Sequence, residues 1–193
     1  MKVIEYMIEN KKVVGRYENF LNRRVNMERN INIRKVKIGD EKVLAYIQTE
    51  SWKAAFHSIL SKEDLNKYTN IDEAEDMYKM LLDNGIGHGY ILSVDGTPHC
   101  IAYWNKSREE EMKDHAELIC IHSLSGNWGK GYGSMMLEYI LQEMKDAGFN
   151  KAMLWVFEEN ARARSFYEKY GFILTDKSQM FSDAVEVMYC KEL

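Results

Sequence analysis

Apolar positions recur at two different spacings along the chain, and the change of spacing predicts where strands give way to helices. Residues 31–38 place Ile and Val at nearly every second position, as an edge strand does. From residue 43 onward the apolar positions follow a helical spacing, shortly after Asp40, which can cap a helix. The pattern then predicts a second helix that begins at Ser61 and a third over residues 72–84.

The second half of the chain predicts a sheet built around one crossover. Apolar runs flank Asp95 and Gly96, a dipeptide typical of a β-hairpin. A strand over 116–124, a helix over 131–147 and a strand over 152–157 have the length of a connection between parallel strands. A short helix and two final strands follow. This order predicts an α/β fold in which a mixed, mostly antiparallel sheet carries helices on both faces.

The composition is ordinary for a globular protein, with 46% hydrophobic and 29% charged residues. A chain of 193 residues predicts one domain, over residues 31–193, preceded by an N-terminal extension over residues 1–30. The extension carries seven Lys or Arg against four Asp or Glu, and the rest carries 19 against 26. The acidic body favours a cationic or amine partner, although a solvated surface explains it equally well. The net charge of -4 gives no reason to expect nucleic-acid binding.

Cysteine usage and hydropathy favour a soluble, cytoplasmic protein. The three cysteines are far apart, and no CxxC spacing or Cys/His cluster indicates a zinc or other metal site. Reduced thiols in the cytoplasm are the simplest interpretation. The first residues contain no signal-peptide block, and no run of about 18 apolar residues occurs, so we expect no membrane partner.

A glycine-rich stretch, GNWGKGYGS at residues 126–134, separates a predicted strand from a predicted helix. A P-loop needs Lys and then Ser or Thr after its last glycine, and a dinucleotide fingerprint needs a glycine at position 134, so neither motif fits. Successive backbone N–H groups at 129–133, together with the start of the helix, can still form a cradle for an anion. From the glycine content alone, a flexible turn is the slightly better explanation.

The surroundings of this stretch resemble the GNAT superfamily of acyl-CoA-dependent N-acetyltransferases. The signature of that family is Q/R-x-x-G-x-G/A, followed by a strand, an Asn, a short helix and a Tyr before Gly-Phe. The matching positions are Gly131, Gly133, Asn160, Tyr167, Gly171 and Phe172. The resemblance is specific over residues 116–172. Trp128 stands at the Q/R position, which implies that one side-chain contact to the pyrophosphate of CoA is lost there.

The resemblance implies that acetyl-CoA is the acyl donor, used as a substrate without a metal. Its pyrophosphate would then lie on residues 129–134, and its pantetheine between the strands 118–124 and 152–157. The thioester would lie near residues 121–123, where a backbone N–H can polarise the carbonyl. The donor-binding residues implied in this way are Ile121, Ser123, Gly129, Lys130, Gly131, Tyr132, Gly133, Ser134 and Asn160. Asn160 is also a suitable helix cap.

Tyr167 and Glu117 are the candidate catalytic residues. The resemblance favours Tyr167 as the acid that protonates the leaving thiolate, whereas periodicity alone favours a core aromatic residue. Glu117 begins a strand at the position where some members of the family carry a general base, and a solvated carboxylate is an equally good interpretation. His122 is a rival base, although a core or hydrogen-bonded histidine is the more common role.

The acceptor pocket is expected to be lined by the first predicted helix, with Trp52 and Phe56 as candidates; their i, i+4 spacing suits core packing as well. The sequence thus predicts an N-acetyltransferase that moves an acetyl group to a primary amine of a small molecule or protein by direct attack in a ternary complex. The alternative is a non-catalytic acyl-CoA sensor in which residues 1–30 form an interaction segment. The failed fingerprints disfavour a nucleotide-binding protein, and a homodimer is compatible with each reading.

Overall fold

The computed structural model describes residues 30–193, so the predicted extension lies, except for Asn30, outside the described residues. Five α-helices and seven strands form this part of the chain. The helices are α1 (Glu41–Phe56), α2 (Lys62–Tyr68), α3 (Ile71–Asp83), α4 (Tyr132–Asp146) and α5 (Ala161–Lys169). The strands are β1 (Ile31–Lys35), β2 (His88–Val94), β3 (Thr97–Lys106), β4 (Ala116–Ser123), β5 (Lys151–Phe157), β6 (Ile173–Phe181) and β7 (Ala184–Glu192). None of these helices is both long and apolar enough to cross a membrane.

The seven strands form one sheet in the order β1-β2-β3-β4-β5-β7-β6. Every neighbouring pair is antiparallel except β4 and β5, which run parallel on either side of α4 in the chain. The predicted fold class is therefore confirmed, including the single parallel strand–helix–strand unit at the centre of the sheet.

Helices cover both faces of the sheet, because alternate residues of each strand point to opposite sides. On β2, Tyr90 and Leu92 are buried in the larger core with α4 and α5, whereas Ile91, which lies between them, is buried with α1 and α3. Residues of β3 divide in the same way, with Ala102 on one side and Ile101 on the other. β4 and α4 meet in the larger core, where Leu118 and Met136 are both buried.

The start of α1 differs from the sequence prediction in its hydrogen bonds. Asp40 stands at the N-cap position, but its carboxylate caps no helical N–H. It accepts paired hydrogen bonds from the guanidinium of Arg34, at 2.7 and 2.8 Å, and another from the backbone N–H of Lys37. The Arg34 hydrogen bonds hold the pKa of Asp40 below its usual range. The predicted cap at Ser61 is present, since its hydroxyl accepts from the N–H of Asp64.

Candidate active site

The centre of the sheet opens where β4 and β5 separate. Their parallel ladder contains only two residue pairs, at the start of each strand: Ala116 with Ala152, and Glu117 with Met153. Beyond Glu117, β4 continues to Ser123 and pairs only with β3. One edge of β4 is therefore left without a strand partner, and backbone N–H and C=O groups on that edge can bind a ligand.

A cleft of about 580 Å³ lies between this edge, the glycine-rich loop and α5. The loop meets α4 at Gly131, which occupies the N-cap position with φ of 87° and offers no side chain to cap the helix. A Cβ added at Gly131 would meet no other atom within 4 Å. The first N–H groups of α4 and the positive end of its dipole are thus open to the cleft, as an anion site requires.

Another wall of the cleft is formed by α5, from its N-cap Asn160 to its last residue Lys169. Asn160 caps this helix as predicted, since its Oδ1 accepts from the N–H of Ala163 at 3.2 Å. Tyr167 lies about two turns further along, with only 9% of its surface exposed. Burial, together with the nearby Cys120 and Cys100 thiols, raises the pKa of Tyr167. Its phenol therefore stays protonated at neutral pH and can act as a proton donor.

Most of the residues predicted from the sequence come together around this cleft. Those that line it are Phe56, Ile121, Ser123, Gly129, Gly131, Tyr132, Gly133, Ser134, Asn160 and Tyr167. Among the described residues, Glu117, Lys130 and Trp52 lie outside its walls. The Nζ of Lys130 donates to Oδ1 of Asn127, 2.9 Å away.

A family model for the acetyltransferase (GNAT) family matches residues 49–172 of the chain. The protein belongs to the GNAT acetyltransferase family. The match includes β4, the glycine-rich loop and Tyr167, so the family assignment covers the whole cleft. The protein is accordingly an acyltransferase whose acyl donor is acetyl-CoA.

Known relatives agree with this assignment. YuaI of Bacillus subtilis strain 168, an uncharacterized N-acetyltransferase, is 28% identical over 146 residues, which is 73% of this chain and 79% of the relative. PaiA N-acetyltransferase from Thermoplasma acidophilum, solved with coenzyme A, has a TM-score of 0.70 at 23% identity and covers 85% of this chain and 99% of its own. Ribosomal-protein-alanine N-acetyltransferase from Brucella melitensis gives 0.67 at 15% identity, covering 84% and 99%. The two solved structures share the GNAT fold with this chain.

In this GNAT protein, Glu117 is buried in an ion pair. Its side chain is 3% exposed, and its Oε1 accepts from Nη2 of Arg108 at 2.5 Å. The Nε of Arg108 contacts both carboxylate oxygens, and the backbone N–H of Arg108 donates to Oε2. The solvated carboxylate considered from the sequence does not describe this residue, because the ion pair replaces its water.

His122 lines the cleft and is fixed from the side of α1. The indole Nε1 of Trp52 donates to Nε2 of His122 at 3.3 Å, so the ring proton of the neutral imidazole is on Nδ1. Burial lowers the pKa of His122 to about 4. Trp52 also packs against Phe56, Tyr68 and Phe181 in an aromatic cluster next to the cleft. His122 is therefore a neutral, hydrogen-bonded residue of the cleft wall.

Several residues of the cleft were not singled out from the sequence as binding groups. They are Ser51, Ala55, Asn127, Trp128, Arg162, Ala163, Phe166 and Lys169. Arg162 and Lys169 are cations on the same helix as Tyr167, and they lie four residues before and three residues after Phe166, so helical spacing places the three side chains on one face. Ser51 and Trp128 depend on contacts between distant segments, which a local pattern does not reveal.

A second, wider groove of about 880 Å³ lies between α1 and the β2–β3 hairpin. Lys42, Glu50 and Lys53 line it together with Pro98 and His99. It contains neither the open edge of β4 nor the start of α4, so we place the acetyltransferase site in the smaller cleft. Among residues 30–193, no three His, Cys, Asp or Glu side chains are close enough to hold a metal ion.

Proposed function

We propose that the protein transfers the acetyl group of acetyl-CoA to a primary amine of a small molecule or a protein, by direct attack of the amine in a ternary complex. One observation carries the proposal. The unpaired edge of β4, the uncapped start of α4 and the protonated Tyr167 all face one cleft. Together they can hold the thioester, bind its phosphates and protonate the departing thiolate.

The glycine-rich loop is the proposed binding site of the pyrophosphate. Residues 129–134 other than Lys130, whose N–H donates to the backbone oxygen of Asn127, would supply backbone N–H groups, and α4 adds its dipole. The open space beyond Gly131 and Gly133 supports this assignment, because no side chain of the protein fills it: the nearest atom to a Cβ at Gly133 is Cζ of Phe166, 3.9 Å away. Asn160 and Ser134 border the same space and complete the proposed site.

The chemical step is proposed to occur where β4 separates from β5. A backbone N–H near Ile121 to Ser123 polarises the thioester carbonyl and stabilises the oxyanion that forms when the amine attacks. The carbon–sulfur bond then breaks, and Tyr167 donates its proton to the departing thiolate. Burial raises the pKa of the phenol, so the group begins each turnover protonated.

Direct attack is favoured over an acyl-enzyme because neither of the two cysteines near Tyr167 is an activated nucleophile. Burial raises the pKa of the Cys120 thiol to about 12, so this thiol is protonated and unreactive at neutral pH. Cys100 is buried and has a raised pKa for the same reason. Ser123 lines the cleft but belongs to no Ser–His–Asp arrangement among the described residues.

The amine must also lose a proton, and Glu117 is the proposed general base that accepts it. The carboxylate lies outside the walls of the cleft, so the proton would reach it through water. His122 is the rival base. Its Nε2 already accepts from Trp52, and its low pKa makes it a weak base, so it is the less favoured of the two.

A non-catalytic acyl-CoA sensor is the second candidate function. The observation that favours it is the Arg108–Glu117 ion pair, because a carboxylate whose oxygens are both engaged has little capacity left to accept a proton. In a sensor, the cleft would bind acetyl-CoA without turnover.

We also propose a cytoplasmic location, supported by the three free thiols Cys100, Cys120 and Cys190. No nucleic-acid partner is proposed, and a homodimer is compatible with either function.

The test combines binding and turnover on the full chain. Thermal shift with acetyl-CoA, CoA, ATP and NAD should give stabilisation by the first two only. Release of free thiol from acetyl-CoA is then measured against a panel of small amines and N-terminal peptides. Turnover with intersecting initial-velocity lines supports a ternary complex, and parallel lines would refute it. Binding of acetyl-CoA with no turnover for any amine would support the sensor.

Gly131→Glu is the matched variant for both measurements. The new side chain would project a negative charge into the proposed pyrophosphate site without touching another protein atom at Cβ. CoA binding should be lost while the fold is retained. Unchanged CoA affinity in this variant would refute the placement of the pyrophosphate.

A further inference from the structure

Trp128 is held at the edge of the cleft by a hydrogen bond to β4. Its indole Nε1 donates to the backbone oxygen of Ser123, and the two atoms are 2.8 Å apart. The ring lies directly before Gly129 in the chain and remains 37% exposed. Trp128 thus presents an aromatic face next to the glycine-rich loop, at the position where the GNAT signature carries Gln or Arg.

Arg162 covers that aromatic face. Its guanidinium carbon is 3.2 Å from the centroid of the Trp128 ring, a distance that gives a cation–π contact. Arg162 is the second residue of α5, directly after the capped N-terminus of the helix, and lines the same cleft as Gly131 and Gly133. The contact therefore brings a guanidinium from α5 to the loop that precedes α4.

Arg162 differs from the other three arginines of residues 30–193 in having no acidic or hydroxyl partner. Arg34 is paired with Asp40, Arg108 with Glu117, and Arg164 with Tyr189 and the backbone oxygen of Glu158. Those partners raise the pKa of each of the three guanidinium groups, whereas loss of water lowers the pKa of Arg162. Arg162 remains charged at neutral pH, so its charge is available to an anion in the cleft.

We propose that Arg162 binds the pyrophosphate of CoA and that Trp128 is the positioning residue that holds its guanidinium beside the glycine-rich loop. The inference rests on the proposed placement of the pyrophosphate on residues 129–134. A guanidinium forms paired hydrogen bonds with phosphate oxygens, and contact through the ring face leaves its N–H donors unused. Arg162 of α5 in this way supplies the side-chain contact to the pyrophosphate that Trp128 cannot make in place of Gln or Arg.

The test measures the affinity of the full chain for CoA and for 3′-dephospho-CoA by isothermal titration. Arg162→Ala should weaken both by about 10- to 100-fold, as expected for hydrogen bonds to a charged group. Arg162→Lys should retain part of the affinity, because it keeps the charge but not the planar fork. The difference between wild type and Arg162→Ala should shrink at high salt. Arg164→Ala removes the same charge from the same helix outside the cleft, and its CoA affinity should equal that of wild type.

Two outcomes would overturn the proposal. Wild-type CoA affinity in Arg162→Ala would show that the guanidinium does not contact the ligand. A loss for CoA but not for 3′-dephospho-CoA would assign Arg162 to the 3′-phosphate instead. If instead the pyrophosphate does not lie on residues 129–134, Gly131→Glu would bind CoA with wild-type affinity, which distinguishes this outcome from the two above.

The positioning role of Trp128 is tested by a double-mutant cycle. Trp128→Ala should weaken CoA binding to a similar extent as Arg162→Ala, and the double variant should lose little more than either single variant. Trp128→Phe, which keeps an aromatic face, should lose less. Additive losses in the double variant would mean that Trp128 only supports the loop and does not act through Arg162.

Discussion

Replacing Gly131 by alanine separates the contribution of the glycine-rich loop to stability from its contribution to binding. Gly131 has φ of 87°, and a Cβ there would meet no other atom within 4 Å. The substitution should therefore cost only the left-handed backbone conformation, about 1–2 kcal/mol. For a chain of this size, that corresponds to a fall in Tm of roughly 2–8 °C.

Gly148 provides the matched control. It ends α4 with φ of 91°, and a Cβ there would also meet no other atom within 4 Å. Gly148→Ala should lose the same stability as Gly131→Ala, because the backbone conformations are alike. Gly148 lies at the far end of α4 from the cleft, so its replacement should leave CoA affinity unchanged.

The two variants should differ in binding alone. A methyl group at Gly131 projects into the space assigned to the pyrophosphate, and we expect CoA affinity to fall about tenfold or more, equivalent to about 1.4 kcal/mol. Thermal denaturation and isothermal titration of both variants measure the two quantities. Equal CoA affinity in Gly131→Ala and Gly148→Ala would refute the cradle. A much larger loss of stability in Gly131→Ala would refute the claim that its Cβ faces open space.

The remaining predictions concern the chemical step and the pH dependence of stability. Tyr167→Phe should lower kcat by about 100-fold or more with little change in acetyl-CoA affinity, and an unchanged kcat would exclude the proton-donor role. Glu117→Gln should lower kcat, and kcat should recover at higher pH. Arg108→Gln breaks the same ion pair but keeps the carboxylate, so it should lower kcat less. Equal losses of kcat in the two variants would mean that Glu117 has a structural role only. The pKa of His122 is about 4 in the folded protein and about 6.5 in the unfolded chain, so between these pH values the unfolded chain binds more protons. The free energy of unfolding should therefore fall by up to roughly 3 kcal/mol as the pH drops from 7 to 4. Urea unfolding of His122→Gln should show a smaller fall, and an identical pH profile would contradict the assignment.

The order of helices and strands was predictable because it depends on local patterns. The spacing of apolar side chains distinguishes α1 from β2, and Ser61 and Asn160 begin helices through contacts with residues three positions away. Asp40 is the instructive exception. Its cap was predicted from the same local rule, but Arg34 offers paired charged hydrogen bonds that a neutral N–H does not match.

The candidate site was predictable only in part. Gly131, Gly133, Asn160 and Tyr167 lie within 37 residues of one another in the sequence and share one cleft, so a contiguous pattern could indicate them. The partner of Glu117 could not be predicted, because nothing local distinguishes a solvated glutamate from one that Arg108 holds nine residues away.

The sequence by itself determined the element order, the family and the glycine-rich connection between β4 and α4, since each depends on neighbouring residues. Only the tertiary structure decided how β4 and β5 separate and where Arg162 contacts Trp128. It also decided which ring nitrogen of His122 accepts the hydrogen bond from Trp52, which lies 70 residues earlier in the chain. The physical reason is that these contacts join segments far apart in the chain. Their geometry is set by the packing of helices on both faces of the sheet, which no local pattern encodes.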